Sequence, residues 1–168
     1  MFKDILILSA RFVLLVFLQI IVLNHVQMGG FCNPYLYVWF LLFLPYRIFP
    51  TLLLLLAFLL GMTIDLSCGT AGMHAFACVA AAFVRYLYLK NSTATEHDRG
   101  RFPSMQKSGF SWYVHYAALI ILVHHLALFW IESFAWGDLL PATGRALCSA
   151  IMTLLLVICC ELLSFRRS

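Results

Sequence analysis

Long runs of apolar residues dominate this chain and limit what it can fold into. Of its 168 residues, 64% are apolar and only 11% are charged, whereas an average globular protein is about half apolar and about a quarter charged. So few polar residues cannot coat a water-soluble domain, and a mean hydropathy of +0.96 is typical of a membrane protein. The sequence therefore predicts an all-α integral membrane protein with no separate soluble domain.

Six apolar stretches are candidate transmembrane spans, because a helix needs about 20 apolar residues to cross the hydrocarbon core. They cover residues 5–23, 34–44, 48–64, 70–89, 110–134 and 140–165. The second stretch is short, since at about 1.5 Å per residue it cannot cross about 30 Å upright. As a span it must be tilted, recessed behind its neighbours, or extended at its ends by Phe31 and Tyr46.

An alternative topology fuses the second and third stretches into one kinked helix through Pro45, Arg47 and Pro50. The distribution of cations favours six spans over the resulting five, because cytoplasmic loops carry an excess of Lys and Arg. With six spans, eight cations lie on one side: Lys3, Arg47, Lys90, Arg99, Arg101, Lys107, Arg166 and Arg167. The opposite connections, 24–33, 65–69 and 135–139, contain none. We therefore predict a single six-span domain with both termini in the cytoplasm and a cytoplasmic basic loop over residues 90–109.

Six charged residues lie inside or at the ends of the predicted spans, where a charge costs about 2.5–3.5 kcal/mol on insertion scales. Arg11, Arg85 and Glu161 fall in the inner halves, and Asp65, Glu132 and Arg145 fall near the outer ends with His74 just below. This division predicts an inner ion pair of Glu161 with Arg85 or Arg11. It also predicts an outer pair of Arg145 with Asp65 or Glu132. For Arg11 and Arg85, the alternative is that both side chains snorkel to the cytoplasmic surface.

The remaining chemistry-bearing residues form no recognisable catalytic or metal-binding pattern. His115, His124 and His125 share the fifth span, and buried or interfacial hydrogen-bonded histidines are favoured over a metal site or a proton relay. The six cysteines lack ligand spacing, and the pair we consider for a disulfide is Cys32 with Cys68, in predicted outer loops. The sequence has no nucleophile elbow, no facing aspartates and no phosphate-binding loop. We expect no catalytic residues, no cofactor, no metal and no nucleic-acid partner, and we do not expect an enzyme.

Small residues at three- and four-residue steps mark the fourth span, including Ala77 and Ala81. Such spacing lets a neighbouring helix approach closely in a membrane. The fourth span is therefore predicted to be the central helix of the bundle.

Residues 61–75, Gly-Met-Thr-Ile-Asp-Leu-Ser-Cys-Gly-Thr-Ala-Gly-Met-His-Ala, resemble a family signature. They are similar to the Gly-x-x-x-Asp…Gly-x-x-Ala pattern of the rod shape-determining protein MreD family of the bacterial inner membrane. An early span ending near Asn24-His25, Pro34 opening the second span, the basic loop after the fourth span and the chain length agree with this resemblance.

The resemblance implies a non-enzymatic scaffold of the cell-wall elongation complex. Expected partners are the single-span protein MreC and, in the wider complex, MreB, RodA and a penicillin-binding transpeptidase. The implied fold is similar to the substrate-binding subunit of energy-coupling vitamin transporters. That fold would place an outer polar pocket at Asp65, His74, Glu132 and Arg145. An alternative function is a small-molecule-binding membrane subunit of a transporter.

Physical chemistry suggests its own role for the motif. Gly61 would permit close helix packing, and Gly69 and Gly72 would open the fourth span. Asp65 would end the third span and accept hydrogen bonds from backbone amides of the turn that follows.

Overall fold

The computed structural model describes residues 2–26, 31–91, 102–133 and 139–165. Its regular elements are helices, which confirms the predicted all-α class. In chain order they are α1 (Phe2–Ile21), two 3-10 helices (Leu23–His25 and Leu36–Val38), α2 (Trp39–Leu42), α3 (Pro50–Cys68), α4 (Met73–Lys90), α5 (Met105–Ser108), α6 (Phe110–Glu132) and α7 (Leu139–Phe165).

Four of the described helical segments are long and apolar enough to cross a membrane: Ile5–His25, Pro50–Cys68, Phe110–Glu132 and Leu139–Leu163. This finding agrees with the predicted membrane protein. Helix α4 has 18 residues but a more polar composition. Among the predicted cytoplasmic cations, Arg99, Arg101, Arg166 and Arg167 lie outside the described residues, as does the side chain of Lys3.

The second apolar stretch does not form a transmembrane helix. Only seven of its residues are helical, in the 3-10 helix Leu36–Val38 and in α2. Neither is it fused to α3, which begins separately where Pro50 occupies the first turn, a position that proline favours. Of the expected arrangements, the recessed one is confirmed, because Tyr37, Leu41 and Leu44 are completely buried. The segment lies in the middle of the bundle, in contact with α1, α4 and α7.

Side chains of the surrounding helices bind the backbone of this irregular segment. The backbone amide of Asn33 donates to the Ser149 hydroxyl (2.9 Å), and that of Tyr35 donates to the Thr153 hydroxyl (3.0 Å), both on α7. On α1, the side-chain amide of Gln19 donates through Nε2 to the backbone carbonyl of Pro34 at 3.1 Å. Non-helical backbone at membrane depth requires such partners, since unpaired peptide groups cost several kcal/mol in hydrocarbon.

At its other end, the segment is held by two buried side chains. The Tyr116 hydroxyl donates to the carbonyl of Leu42 at 3.1 Å. The Arg85 guanidinium donates to the carbonyls of Leu44 and Pro45. These contacts allow a segment without a long helix to pass through the core.

Helix α4 packs closely between α3 and α6, as its small residues predict, and α7 packs against α6. Ala77, Cys78 and Ala81 are completely buried. A methyl group added to Gly61 of α3 would overlap the backbone of Ala75 and come within 2.6 Å of the His74 carbonyl oxygen. The two helices therefore touch backbone to backbone at this point.

The bundle has two polar ends, which we name after their buried charges. At the Asp65 end, the C-terminal end of α1 meets that of α3, where Asn24 Nδ2 donates to Cys68 Sγ at 3.1 Å. At the Arg85 end, the loop before α3 meets α5, where the hydroxyls of Tyr46 and Ser108 are 2.8 Å apart.

A disulfide ties the irregular segment to α7. Cys32 bonds to Cys148, with their Cα atoms 5.6 Å apart, and Cys68 is free. The Cys32–Cys68 pairing considered from the sequence is therefore wrong. Cys148 lies inside the predicted sixth span and not in an outer loop. Residues 32–35 run along α7, and this brings Cys32 next to Cys148.

We predict that Gly61→Ala will destabilise the protein, because the added methyl group has no room against α4. Overpacking costs about 1–3 kcal/mol, so the melting temperature in detergent should fall. Gly144→Ala is the matched control, since a Cβ at this helical position would meet only Phe31 at 3.9 Å. Equal melting temperatures for both variants would contradict the close α3–α4 contact.

Candidate functional site

Asp65 joins α3 to α4 by capping the N-terminus of α4. Its carboxylate accepts hydrogen bonds from the backbone amides of His74 (3.1 Å) and Ala75 (2.8 Å) and from the Thr70 hydroxyl (2.5 Å). The first amides of a helix have no partner within it, and a negative charge at this position also interacts favourably with the helix dipole. The predicted capping role of Asp65 is thus present, although the carboxylate is buried rather than part of an open pocket.

The glycines of the motif shape the turn around this cap. The expectation that α3 ends at Asp65 is wrong. The helix continues to Cys68 and is capped by Gly69, whose φ is +69°. Gly72, with φ of +83°, precedes α4. Both positions lie in the left-handed region, which costs little for glycine because it lacks a Cβ. We call Asp65, Gly61, Gly69 and Gly72 the α3–α4 latch.

The outer ion pair forms between Glu132 and Arg145, one of the two pairings expected. Arg145 Nη2 lies 3.3 Å from Glu132 Oε1, and both side chains are partly exposed. The Arg145 guanidinium also lies over the ring of Phe129, 4.8 Å from its centroid. This pair connects α6 to α7, whereas the hydrogen bonds of Asp65 go to Thr70, His74 and Ala75.

His74 instead belongs to a buried network with a tyrosine and a second histidine. The Tyr37 hydroxyl lies 2.7 Å from His74 Nδ1 and 2.8 Å from His124 Nε2. A hydroxyl can donate to one ring nitrogen and accept from the other. Nδ1 of His124 is buried without a partner, and a bare acceptor is tolerated there better than an unpaired N–H. The favoured direction therefore runs from His124 N–H to Tyr37 and from the Tyr37 hydroxyl to His74.

His125 anchors a second chain of hydrogen bonds. Its Nδ1 donates to the Ile121 carbonyl at 2.8 Å, and its Nε2 accepts from the Thr153 hydroxyl at 3.1 Å. The same hydroxyl accepts from the amide of Tyr35. Every donor in this chain has an acceptor when His125 is neutral, which confirms the interpretation of buried, hydrogen-bonded histidines. His115, by contrast, is exposed. Among the described residues, no group of three or more His, Cys, Asp or Glu could hold a metal ion.

A cavity of about 440 Å³ lies at the Asp65 end, beside the first network. Asn24, Asn33, Tyr35, Thr70 and His74 contribute polar groups to its lining. The Tyr35 ring packs edge-on to His74, with centroids 5.4 Å apart. The lining also includes His25, Ser67 and Cys68, so most of its polar groups are hydrogen-bonding side chains.

Of the two inner pairings expected for Glu161, the one with Arg85 is absent, and the one with Arg11 is an attraction without a close contact. Arg85, only 1% exposed, does not snorkel and is not paired with Glu161, because it binds backbone carbonyls and Tyr116 (2.9 Å). Glu161 accepts from the amide of Met105 at 3.2 Å. The Arg11 guanidinium stacks over Phe43, 3.4 Å from the ring centroid, and remains close enough to Glu161 for electrostatic attraction.

Several residues of the buried network were missed in the sequence. Five of them lie in predicted spans without a predicted role: Gln19, Tyr35, Tyr37, Ser149 and Thr153. A usable signal was present, because a polar side chain inside an apolar run is costly unless it has a partner. The sequence does not show which partner each one has, because Gln19, Ser149 and Thr153 bind backbone groups distant in sequence and Tyr37 binds two histidines on other helices.

Searches with this chain find no match among protein-family models, curated proteins or solved structures.

We predict that Asp65→Ala will lower both the folded yield and the melting temperature in detergent. The substitution leaves two backbone amides and a hydroxyl without their acceptor, and each unsatisfied buried group costs about 1–3 kcal/mol. Glu132→Ala serves as the control, because loss of an exposed ion pair costs at most about 1 kcal/mol. Unchanged yield and stability for Asp65→Ala would refute the latch.

We predict that Tyr37→Phe will destabilise the protein by about 1–3 kcal/mol, because the buried nitrogens of His74 and His124 lose their common partner. Denaturation followed by tryptophan fluorescence measures this difference. Tyr46→Phe removes a hydroxyl that is only partly buried, where water can take its place, and should change stability by less than about 0.5 kcal/mol. A Tyr37→Phe variant as stable as the Tyr46→Phe variant would rule out a stabilising network.

Proposed function

We propose that this protein is a non-enzymatic membrane scaffold of the cell-wall elongation complex that maintains rod cell shape, as its resemblance to the MreD family implies. The α3–α4 latch carries the proposal. The residues that bear the resemblance are those with a defined task in the fold: Gly61 in helix contact, Asp65 in capping, and Gly69 and Gly72 at positive φ.

The use of the buried polar groups favours a structural role over catalysis. Asp65, Arg85 and His125 each place their polar atoms on backbone groups or neighbouring side chains that hold elements together. A catalytic group needs an arrangement directed toward a substrate. These side chains are directed toward the protein itself.

A six-crossing topology in a bacterial inner membrane, with both termini inside, fits these contacts. In this arrangement residues 32–45 form the second crossing, since they run from the disulfide on α7 to Arg85. Arg47, Lys90 and Lys107 lie at the Arg85 end, which is the cytoplasmic end under the positive-inside rule. The Cys32–Cys148 disulfide is nearer to the opposite end, where an oxidising compartment such as the periplasm would preserve it.

The partner in this proposal is the transmembrane region of MreC, within a complex that also includes MreB, RodA and a penicillin-binding transpeptidase. Helix α1 supports docking of another helix, because it lies at the edge of the bundle. Leu6, Leu14 and Phe17 are each at least 60% exposed. An apolar surface of this kind is available to another protein as well as to lipid.

The alternative is a small-molecule-binding membrane subunit of a transporter, with a fold similar to that of the energy-coupling vitamin transporters. The observation that favours it is the 440 Å³ cavity at the Asp65 end. Of the predicted pocket residues, His74 lines this cavity.

Copurification distinguishes the two functions. The scaffold predicts that the tagged chain, extracted in mild detergent, retains a single-span protein with a periplasmic coiled coil from the same cells. The transporter subunit predicts a bound solute and a coupling subunit instead. An unrelated tagged multi-span protein from the same membrane controls for nonspecific capture. Recovery of a solute and a coupling subunit without the single-span protein would overturn the scaffold.

A further inference from the structure

The cavity at the Asp65 end receives the last donor of the buried histidine network. His74 lines this cavity, although only 5% of its surface is exposed. Its Nδ1 accepts from the Tyr37 hydroxyl in the favoured direction of the network, so the proton of the neutral ring is on Nε2. Among the described residues, none accepts a hydrogen bond from this N–H. Unlike Nδ1 of His124, Nε2 of His74 is not enclosed by protein atoms, so the cavity wall offers a donor that lacks an acceptor.

Two hydroxyl groups of the lining offer the opposite chemistry. The Thr70 hydroxyl donates its proton to Asp65 at 2.5 Å, and the Ser67 hydroxyl donates to the Thr63 carbonyl at 2.9 Å. Because these protons are committed, both oxygens are left to accept from a ligand. Thr70 and His74 bind the same carboxylate, which keeps an accepting oxygen close to the donating N–H. A ligand group that both accepts and donates, such as a hydroxyl, is complementary to this pair.

The charges around the cavity favour an uncharged ligand. The Asp65 carboxylate lies directly behind Thr70 and His74, so a second anion at these groups would be repelled. A cation finds no carboxylate to bind, because Asp65 is buried and the lining contains no Asp or Glu among the described residues. The other histidine of the lining, His25, is exposed.

The size and the accessibility of the cavity agree with a small solute. Its volume of about 440 Å³ lies within the range of about 300–1,000 Å³ that is usual for ligand pockets. Ser67 and Cys68 of the lining are exposed, so the cavity can be reached from outside the protein. In the proposed topology this end faces the periplasm, from which a water-soluble molecule would enter.

We propose that the cavity binds an uncharged, polyhydroxylated molecule of the size of a monosaccharide. One hydroxyl of the ligand accepts from His74 Nε2 and donates to Thr70, and a second hydroxyl donates to Ser67. The bound ligand completes the chain of hydrogen bonds that runs from His124 through Tyr37 to His74. The site is separate from the α1 face assigned to the partner, so failure of sugar binding leaves the scaffold proposal standing. It also supplies a ligand class for the transporter alternative.

The first test measures protection of a cysteine in the cavity wall. Cys68 is free and exposed in the lining, whereas Cys159 is free and exposed on α7 outside it. Glucose at millimolar concentrations should slow alkylation of Cys68 by N-ethylmaleimide severalfold and leave alkylation of Cys159 unchanged, with each site followed by peptide mass spectrometry. Glucuronate and glucosamine carry the same ring with a negative and a positive charge and should protect Cys68 less. No protection by glucose, the result expected of a cavity that holds only water, or equal or stronger protection by a charged sugar, would overturn the proposal.

The second test removes one hydroxyl from the lining. Ser67→Ala deletes an accepting oxygen and should weaken the apparent affinity for glucose about fivefold, the effect of one lost hydrogen bond between uncharged groups. Thr63→Val is the matched control, because Thr63 also lies on α3 and donates to the carbonyl four residues earlier but is outside the lining. The affinity is the glucose concentration that gives half of the full protection of Cys68, and Thr63→Val should match the wild type. Equal affinities for the two variants would exclude the proposed binding mode.

Discussion

The rest of this fold depends on supplying hydrogen-bond partners to a segment that passes through an apolar bundle without forming a long helix. A helix satisfies its own peptide groups, but residues 31–45 do so only within the short helices Leu36–Val38 and Trp39–Leu42. The hydrocarbon offers no water to the remaining peptide groups. Each surrounding helix therefore contributes a polar side chain at the matching height: Gln19 from α1, Arg85 from α4, Tyr116 from α6, and Ser149 and Thr153 from α7. The Cys32–Cys148 disulfide adds a covalent tie to the same segment.

The α3–α4 latch solves a different problem, which is how two helices can approach at backbone distance. Gly61 removes the side chain at the contact, and the small residues of α4 extend the close packing along its length. Asp65 then satisfies the amides that begin α4. Because His74 is both the residue whose amide Asp65 caps and a partner of Tyr37, the latch also positions the buried histidine network. A change in the latch would be transmitted to the wall of the cavity.

The two recesses of the molecule differ in chemistry as they differ in position. The cavity at the Asp65 end has hydrogen-bonding groups in its wall, whereas the groove between α1 and α3 at the Arg85 end is lined mainly by apolar residues. The proposed scaffold uses neither as a catalytic site.

Properties set by nearby residues could be predicted from the sequence by itself: the membrane location, the bounds of α3, α4, α6 and α7 to within a few residues, the close packing of α4 and the capping by Asp65. These follow from the length of apolar runs, from the spacing of small residues and from short-range capping chemistry, all of which act over a few turns of chain. The tertiary structure alone decided that residues 34–44 are recessed, that Cys32 bonds to Cys148 and that Arg85 binds carbonyls instead of Glu161. A buried polar group requires a partner, but every residue carries a backbone carbonyl. The sequence therefore does not show which carbonyl the packing will bring within hydrogen-bonding distance.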